Sequence, residues 1–138
     1  MLLRELAADA RIPNNVLASR AGIAPSTCLA RVRALREAGI IRGFHADIDL
    51  AALGLVVHAL VAVRVHSPAR PRMREIARSL NELPNVLSVF LVAGERDFIA
   101  HVACASTDEL RDFVAEHLGS NPDLAATNTS LVFEHLAD

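Results

Sequence analysis

The sequence predicts an α+β chain of two parts: an N-terminal helix-turn-helix and a ferredoxin-like βαββαβ domain. Three observations carry this. Residues 1–45 show three short helical patterns broken by Gly22 and closed by Gly39. Residues 55–138 alternate valine-rich strand patterns with amphipathic helical ones in the order β-α-β-β-α-β. The helix-to-strand junctions of the second part repeat: Leu80 is followed by Pro84-Asn85-Val86, and Leu118 by Pro122-Asp123-Leu124.

The first helix places Leu2, Leu3, Leu6 and Ala7 on one face. A second starts near Pro13 and contributes Val16, Leu17 and Ala18; Gly22 interrupts it. Pro25 suits the first position of a third helix, where a missing N–H costs nothing. In that helix Leu29, Val32 and Leu35, with Cys28 beside Leu29, are expected to form the buried stripe. The opposite face shows Ser26, Thr27, Ala30, Arg31 and Ala34, with Arg33 and Arg36 at its edges. After Gly39, residues Ile40, Ile41, Gly43 and Phe44 read as a small strand-turn element, and residues 46–54 as a linker.

The second part begins with an apolar strand, Leu55–His66. Pro68 and Pro71 mark a turn. A helix follows, with Met73, Ile76, Ala77, Leu80 and Leu83 inward, then a strand over Val86–Ala93. Gly94-Glu95-Arg96-Asp97 is a tight connection to a third strand, Phe98–Ala105. Ser106-Thr107-Asp108-Glu109 matches a capping box. The helix it opens lines up Leu110, Phe113, Val114, His117 and Leu118, and Gly119 closes it; Thr127–Leu136 is the last strand. In this fold both helices cover one sheet face, so the other should be polar. It is not. Val57, Ala59, Val61, Val63 and Val65 share one face, yet Val56, Leu60 and Ala62 share the other; Phe90 and Val92 oppose Leu87, Val89 and Leu91. Something must cover the second face, and a second copy about a two-fold axis is the simplest cover.

Composition narrows the function. The 138 residues are 52% hydrophobic and 22% charged, ample for packed cores. The longest uncharged stretch, Leu50–Val63, has 14 residues, short of the roughly 20 of a membrane span. No basic segment followed by an apolar run and cleavage site opens the chain, and two cysteines make no disulfide framework. A cytoplasmic location is expected. The histidines fall in no HExxH-like spacing and no C-x-x-C occurs, so neither a metal nor a cofactor is expected. Residues 1–45 hold seven Arg against three acids, +4; residues 46–138 hold seven Arg against 13 acids, −6, which together give the overall −2. A basic front on an acidic body suggests a polyanion partner for the front alone.

Ala8-Asp9-Ala10-Arg11-Ile12 and Leu17-Ala18-x-x-Ala21-Gly22-Ile23 resemble the start of the Lrp/AsnC (feast/famine) family of prokaryotic transcription regulators. Pro25-Ser26-Thr27-Cys28-Leu29 with Arg31-Val32-Arg33-x-Leu35 resembles its recognition helix, and Gly39-Ile40-Ile41-Arg42-Gly43-Phe44 its wing. Gly94-x-x-Asp97 and Thr127-x-Thr129 resemble its effector-domain turn and last strand. The resemblance implies a winged helix-turn-helix, residues 1–45, joined to a sensor and dimerisation domain, residues 55–138. It implies a regulator, not an enzyme, that binds double-stranded DNA and a small effector, usually an amino acid, as dimers associating further, often to octamers.

On that resemblance Ser26, Thr27, Ala30, Arg31, Arg33, Arg36 and Arg42 are the expected DNA-binding residues. Gly94, Glu95, Arg96, Asp97, Thr127 and Thr129 are the expected effector-binding residues, with Asp97 meeting an ammonium or orienting the turn. Four departures stand out: a first helix shorter than the family pattern, Ala24 where a Ser N-cap is usual, Ala30 where a basic residue is frequent, and Arg96 where an aromatic is usual. The first three are expected to weaken DNA binding without abolishing it, the fourth to favour a more acidic or differently shaped effector. Two further readings remain: a sensor or oligomerisation protein with weakened DNA binding, and a tetrapyrrole decarboxylase-like enzyme on the same plan, which would draw on His66, His101 and Arg64.

Overall fold

The computed structural model describes residues 1–136 and divides the chain into two compact units, Met1–Ile48 and Asp49–Asp138. In the first, α1 (Leu2–Ala8), α2 (Asn14–Ala21) and α3 (Pro25–Glu37) close on a small core of Leu17, Ala18 and Cys28, with Leu2, Leu6, Ile12, Ile23 and Val32 against it. Gly22 takes the left-handed conformation, φ 65°, and ends α2 by donating to Ser19 O while Ile23 N–H reaches Ala18 O. Pro25 opens α3 as expected, and Ala24 at its N-cap makes no side-chain hydrogen bond.

Two expectations for this unit need correction. Leu29 is not in the buried stripe: it is 51% exposed, and the inward residues are Cys28, Val32 and Leu35. Their spacing of four and three keeps them on one helical face, whereas Leu29 lies about 100° round from Cys28. Residues 40–47 form no paired strand. They turn instead under the end of α3, where Ile40 and Ile41 N–H both reach Leu35 O.

The second unit is a four-stranded antiparallel sheet of order β2-β3-β1-β4, with β1 Val57–Val65, β2 Val86–Leu91, β3 Phe98–Cys104 and β4 Leu124–Val132. A 3₁₀ segment, Ser67–Arg72, and α4, Met73–Asn81, join β1 to β2; α5, Thr107–Phe113, passes into a π-helical turn, Val114–Gly119, before β4. This is the ferredoxin-like order. Alternate residues of β1 (Ala59, Val61, Val63, Val65) and β3 (Phe98, Ala100, Val102) meet Ile76, Ala77, Leu80, Leu110, Phe113 and Leu118 from the helices in one core. The π turn explains why Phe113 and Leu118, five apart, are both buried. The repeated junctions form the same turn: Leu83 N–H to Leu80 O and Val86 N–H to Leu83 O, then Asn121 to Leu118 and Leu124 to Asn121.

β4 starts three residues before the expected Thr127 and ends at Val132, so residues 133–136 lie outside the sheet. Leu87 also leaves the expected alternation. The register shifts between Val86 and Ser88, so Leu87 sits at a bulge while Val89 and Leu91 oppose Ala100 and Phe98 on the core face.

The sheet's other face is apolar but uncovered. Leu60 and Phe90 are 40% and 55% exposed, with Ala62 and Ile99 between them in the paired rows. No helix among the described residues is long and apolar enough to cross a membrane.

Candidate functional site

The first site lies on α3 and the segment after it. Ser26, Thr27, Ala30, Arg31, Arg33, Arg36 and Arg42 are all exposed. Ser26 and Thr27 follow Pro25 in the first turn, where free backbone N–H groups and the helix dipole favour an anion. Among the described residues none of these four arginines enters a salt bridge, so their charge is available to a partner. Arg33, Arg36 and Arg42 line one concave surface with Glu37, Ile41 and Gly43, three positive charges against one negative. The Arg36 guanidinium stands 5.9 Å over the Phe44 ring, a cation–π contact that ties the segment after α3 to the helix. Arg31 and Ala30 sit on the more N-terminal part of α3, apart from that surface.

Sequence reasoning missed the clamp that sets α3. Asn14, the first residue of α2, donates through Nδ2 to the carbonyl of Pro25 at 2.8 Å. This joins the starts of the two helices of the motif. Asn14 reads in sequence as an ordinary helix-start residue; nothing local signals a bond eleven residues away. A second tie, Arg20 to Glu5 at 2.7 Å, joins α2 to α1.

The second site is the turn between β2 and β3. Val92 N–H reaches Asp97 O at 3.0 Å and Asp97 N–H reaches Val63 O at 2.9 Å, which closes the hairpin and docks it on β1. Gly94 has φ 117°, a backbone conformation that L side chains rarely adopt. Gly94 and Glu95 are exposed, Arg96 is half-buried, and Asp97 is buried at 5%. Both Asp97 oxygens have protein partners. Oδ2 accepts the Val65 N–H at 2.8 Å, and Oδ1 accepts from Arg70 Nη2 at 2.8 Å. Of the two roles that sequence leaves open for Asp97, these bonds match orienting the turn. Arg70, in the 3₁₀ segment, is a partner the sequence does not announce; one arginine among several near prolines carries no signal of its own.

Thr127 and Thr129 oppose Val63 and Val61 across β1, so they lie on the helix side of the sheet, Thr127 half-buried and Thr129 exposed. Phe98, next to Asp97, opposes the same Val63 from the other side. At about 4.8 Å between strands, Thr127 and the turn stand roughly 10 Å apart with β1 between them. The six expected effector residues thus gather at the C-terminal end of β1, in two groups. At the opposite end of the sheet, beyond the C-terminal end of β3, Glu109 anchors α5: its carboxylate accepts from Ala105 N–H at 2.7 Å and Asn85 Nδ2 at 3.0 Å, while Ser106 Oγ accepts the Glu109 N–H at 3.1 Å. The capping box forms, with Glu109 reaching one residue further back than the motif prescribes.

Comparison with known proteins assigns both units to one family. Residues 58–138 match the model of the Lrp/AsnC ligand binding domain, and residues 1–42 that of a winged helix-turn-helix DNA-binding domain. The HTH-type transcriptional regulator AldR of Mycolicibacterium smegmatis is 50% identical over 135 residues, 98% of this chain and 79% of that protein. The crystal structure of the Mycobacterium tuberculosis AldR (MtbAldR) is 42% identical, with a TM-score of 0.83 over 99% of this chain and 90% of that one. A feast or famine regulatory protein of M. tuberculosis, complexed with L-methionine, is 31% identical with a TM-score of 0.87 over 99% of this chain and 90% of that one.

Proposed function

This chain belongs to the Lrp/AsnC family of transcriptional regulators, and we propose that it binds DNA through residues 1–45 and a small effector, an amino acid, through residues 55–138. Residues 46–54 link the two. The observation that carries the reading is the set of arginines on and after α3 that form no salt bridge among the described residues, in a motif of helix-turn-helix form. α3 enters the major groove, about 12 Å wide, with Ser26, Thr27 and Ala30 toward phosphates and base edges. Arg31, Arg33, Arg36 and Arg42 contact phosphates, Arg31 also guanine. The Gly94–Asp97 turn with Thr127 and Thr129 receives the effector, with Asp97 as a positioning residue. Arg96 grips an acidic group on it.

The relatives are named regulators, and this chain acts as one in the cytoplasm, not as an enzyme. Its working unit is a dimer that buries the open sheet faces against each other. Dimers associate further, and the effector shifts the balance of these states through its different affinity for each. A second copy is favoured as the cover because the exposed apolar residues continue across β1, β2 and β3, and among the described residues of this unit α4 and α5 pack on the other face.

The test is a titration of the full chain against the DNA upstream of its own gene at about 50 and 200 mM salt. With six or more arginine–phosphate contacts in a dimer, affinity falls on the order of 10³-fold between the two. Adding single amino acids then shifts the binding curve for the effector. Absence of sequence-preferring binding at the lower salt overturns the DNA reading and favours a sensor with a weakened DNA unit.

A further inference from the structure

The open sheet face carries a histidine pair that the functions above do not use. His58 on β1 opposes Ala103 and His101 on β3 opposes Leu60, so the two are diagonal neighbours on that face. Nδ1 of His58 lies 3.2 Å from Nε2 of His101, and Nε2 of His58 lies 3.2 Å from the Leu55 carbonyl. A carbonyl only accepts, so the His58 proton sits on Nε2 and its Nδ1 is bare. The proton of the shared bond therefore belongs to His101 Nε2. The bonds run one way: His101 to His58 to Leu55.

This order limits how the pair takes up protons. The first extra proton enters at His101 Nδ1 and leaves both bonds intact. A second has to enter at His58 Nδ1, where it breaks the shared bond and sets two cations side by side. The pair thus holds one extra proton at most. Its surroundings resist even that one. Ala62 and Ile99 on the same face, Ser88 and Phe90 from β2, and Ser130 and Val132 from β4 bring no charge. His135 beyond β4 also acts on His101, and Arg64 lies further along β1 on the same face. All of these charges are positive or become so.

We propose that the His58–His101 pair makes the docking of this face onto a second copy sensitive to pH, neutral pairs docking and protonated pairs opposing it. The proposal rests on the dimer reading above. Burial, ahead of any charge on the neighbouring rings, holds the His101 ring below its ordinary 6.5 already in one chain. A covering copy buries it further. As pH falls below 6.5 into the range where the uncovered ring titrates, that ring takes a proton the covered ring refuses, so association is complete above this range and weakens within it. The loss stops once the covered ring is itself protonated. Two pairs per dimer, one proton each, raise the dissociation constant by up to about 100-fold per pH unit in that window.

The experiment is sedimentation of the full chain over a concentration series between about pH 8 and pH 5, for the native protein and for the double variant His58→Gln/His101→Gln, each checked by circular dichroism for folding. The native dimer is expected to loosen below pH 6.5, and the double variant, which has no imidazole of the pair left to protonate, to lose that dependence. A native dimer of constant affinity over the range overturns the proposal and leaves the dimer reading standing, as does a folded double variant that keeps the native slope. A chain that stays monomeric at pH 8 at every concentration overturns the dimer reading, and this proposal with it.

Discussion

Asp97→Ala tests the reasoning about the turn most directly. The carboxylate is buried, and its Oδ2 is the partner of the Val65 N–H, in a residue only 2% exposed. Alanine leaves that N–H without a partner in a site water does not reach, which costs about 1–3 kcal/mol; because the acceptor removed is ionised, the upper half of that range applies. Arg70, on the other oxygen, has a side chain 52% exposed and returns to water when released. Its own removal therefore costs about 1 kcal/mol, near the upper end for exposed pairs.

The expected order is Asp97→Ala about 2–3 kcal/mol, Arg70→Ala about 1 kcal/mol, and the double variant no worse than Asp97→Ala alone, because Arg70 acts only through Asp97. For a domain of this size, 1 kcal/mol moves the melting temperature by about 4–8 °C, so thermal melts and urea titrations of the full chain resolve all three. Asp97→Asn keeps an acceptor for Val65 but turns an amide toward Arg70, and falls between the two single variants. An Asp97→Ala loss below about 0.5 kcal/mol refutes the argument, as do losses that simply add in the double variant.

Three further outcomes follow from the same geometry. Arg31→Ala is expected to weaken DNA binding on all sequences and to lower the salt slope by about 0.9 for each phosphate left unneutralised, read by fluorescence anisotropy at several salt concentrations; an unchanged slope removes Arg31 from the interface. Phe90→Asp puts a charge on the open sheet face and is expected to yield monomers with an unchanged melting profile of the helix-turn-helix unit, by sedimentation and calorimetry; a native-strength dimer places the interface elsewhere. Arg96→Phe, at a half-buried turn position without a salt-bridge partner among the described residues, is expected to lower affinity for acidic amino acids such as L-glutamate in calorimetry. Equal affinity before and after shows that Arg96 does not grip the effector.

Much of the fold is legible because its signals are local. The period of α4, the Ser106–Glu109 cap and the repeated Leu-to-Pro junctions each lie within a few residues of one another, and each forms as read. What sequence misreads or hides depends on residues far apart. Leu29 looks as apolar as its neighbours, and only the position of α2 decides that Cys28 faces inward instead. The bulge at Leu87 is a matter of register with β3. Asn14 on Pro25, Arg70 on Asp97 and Asn85 on Glu109 span 11, 27 and 24 residues, and no spacing rule announces them. The candidate site shares this division: the Gly94 turn is visible because its φ demands glycine, whereas the groups that hold Asp97 are not.

The open sheet face shows how a mismatch between sequence and single chain becomes informative. Alternation in a half-covered sheet calls for polar residues on the uncovered side. Here that side holds Leu60, Ala62, Phe90 and Ile99, while the described helices of this unit pack on the opposite face. Leaving them in water forfeits roughly 25 cal/mol for each Å² that a partner would bury, a cost a second copy removes on both sides at once. The two histidines on the same face read differently in that light. Alone on a wet surface, the bond between His58 and His101 would matter little. On a face to be covered, each ring has to be neutral or matched, and the His101-to-His58-to-Leu55 order supplies a partner for every nitrogen except His101 Nδ1. That one nitrogen is where the pH of the surroundings enters, which is why the sedimentation series asks about the dimer and its proton together.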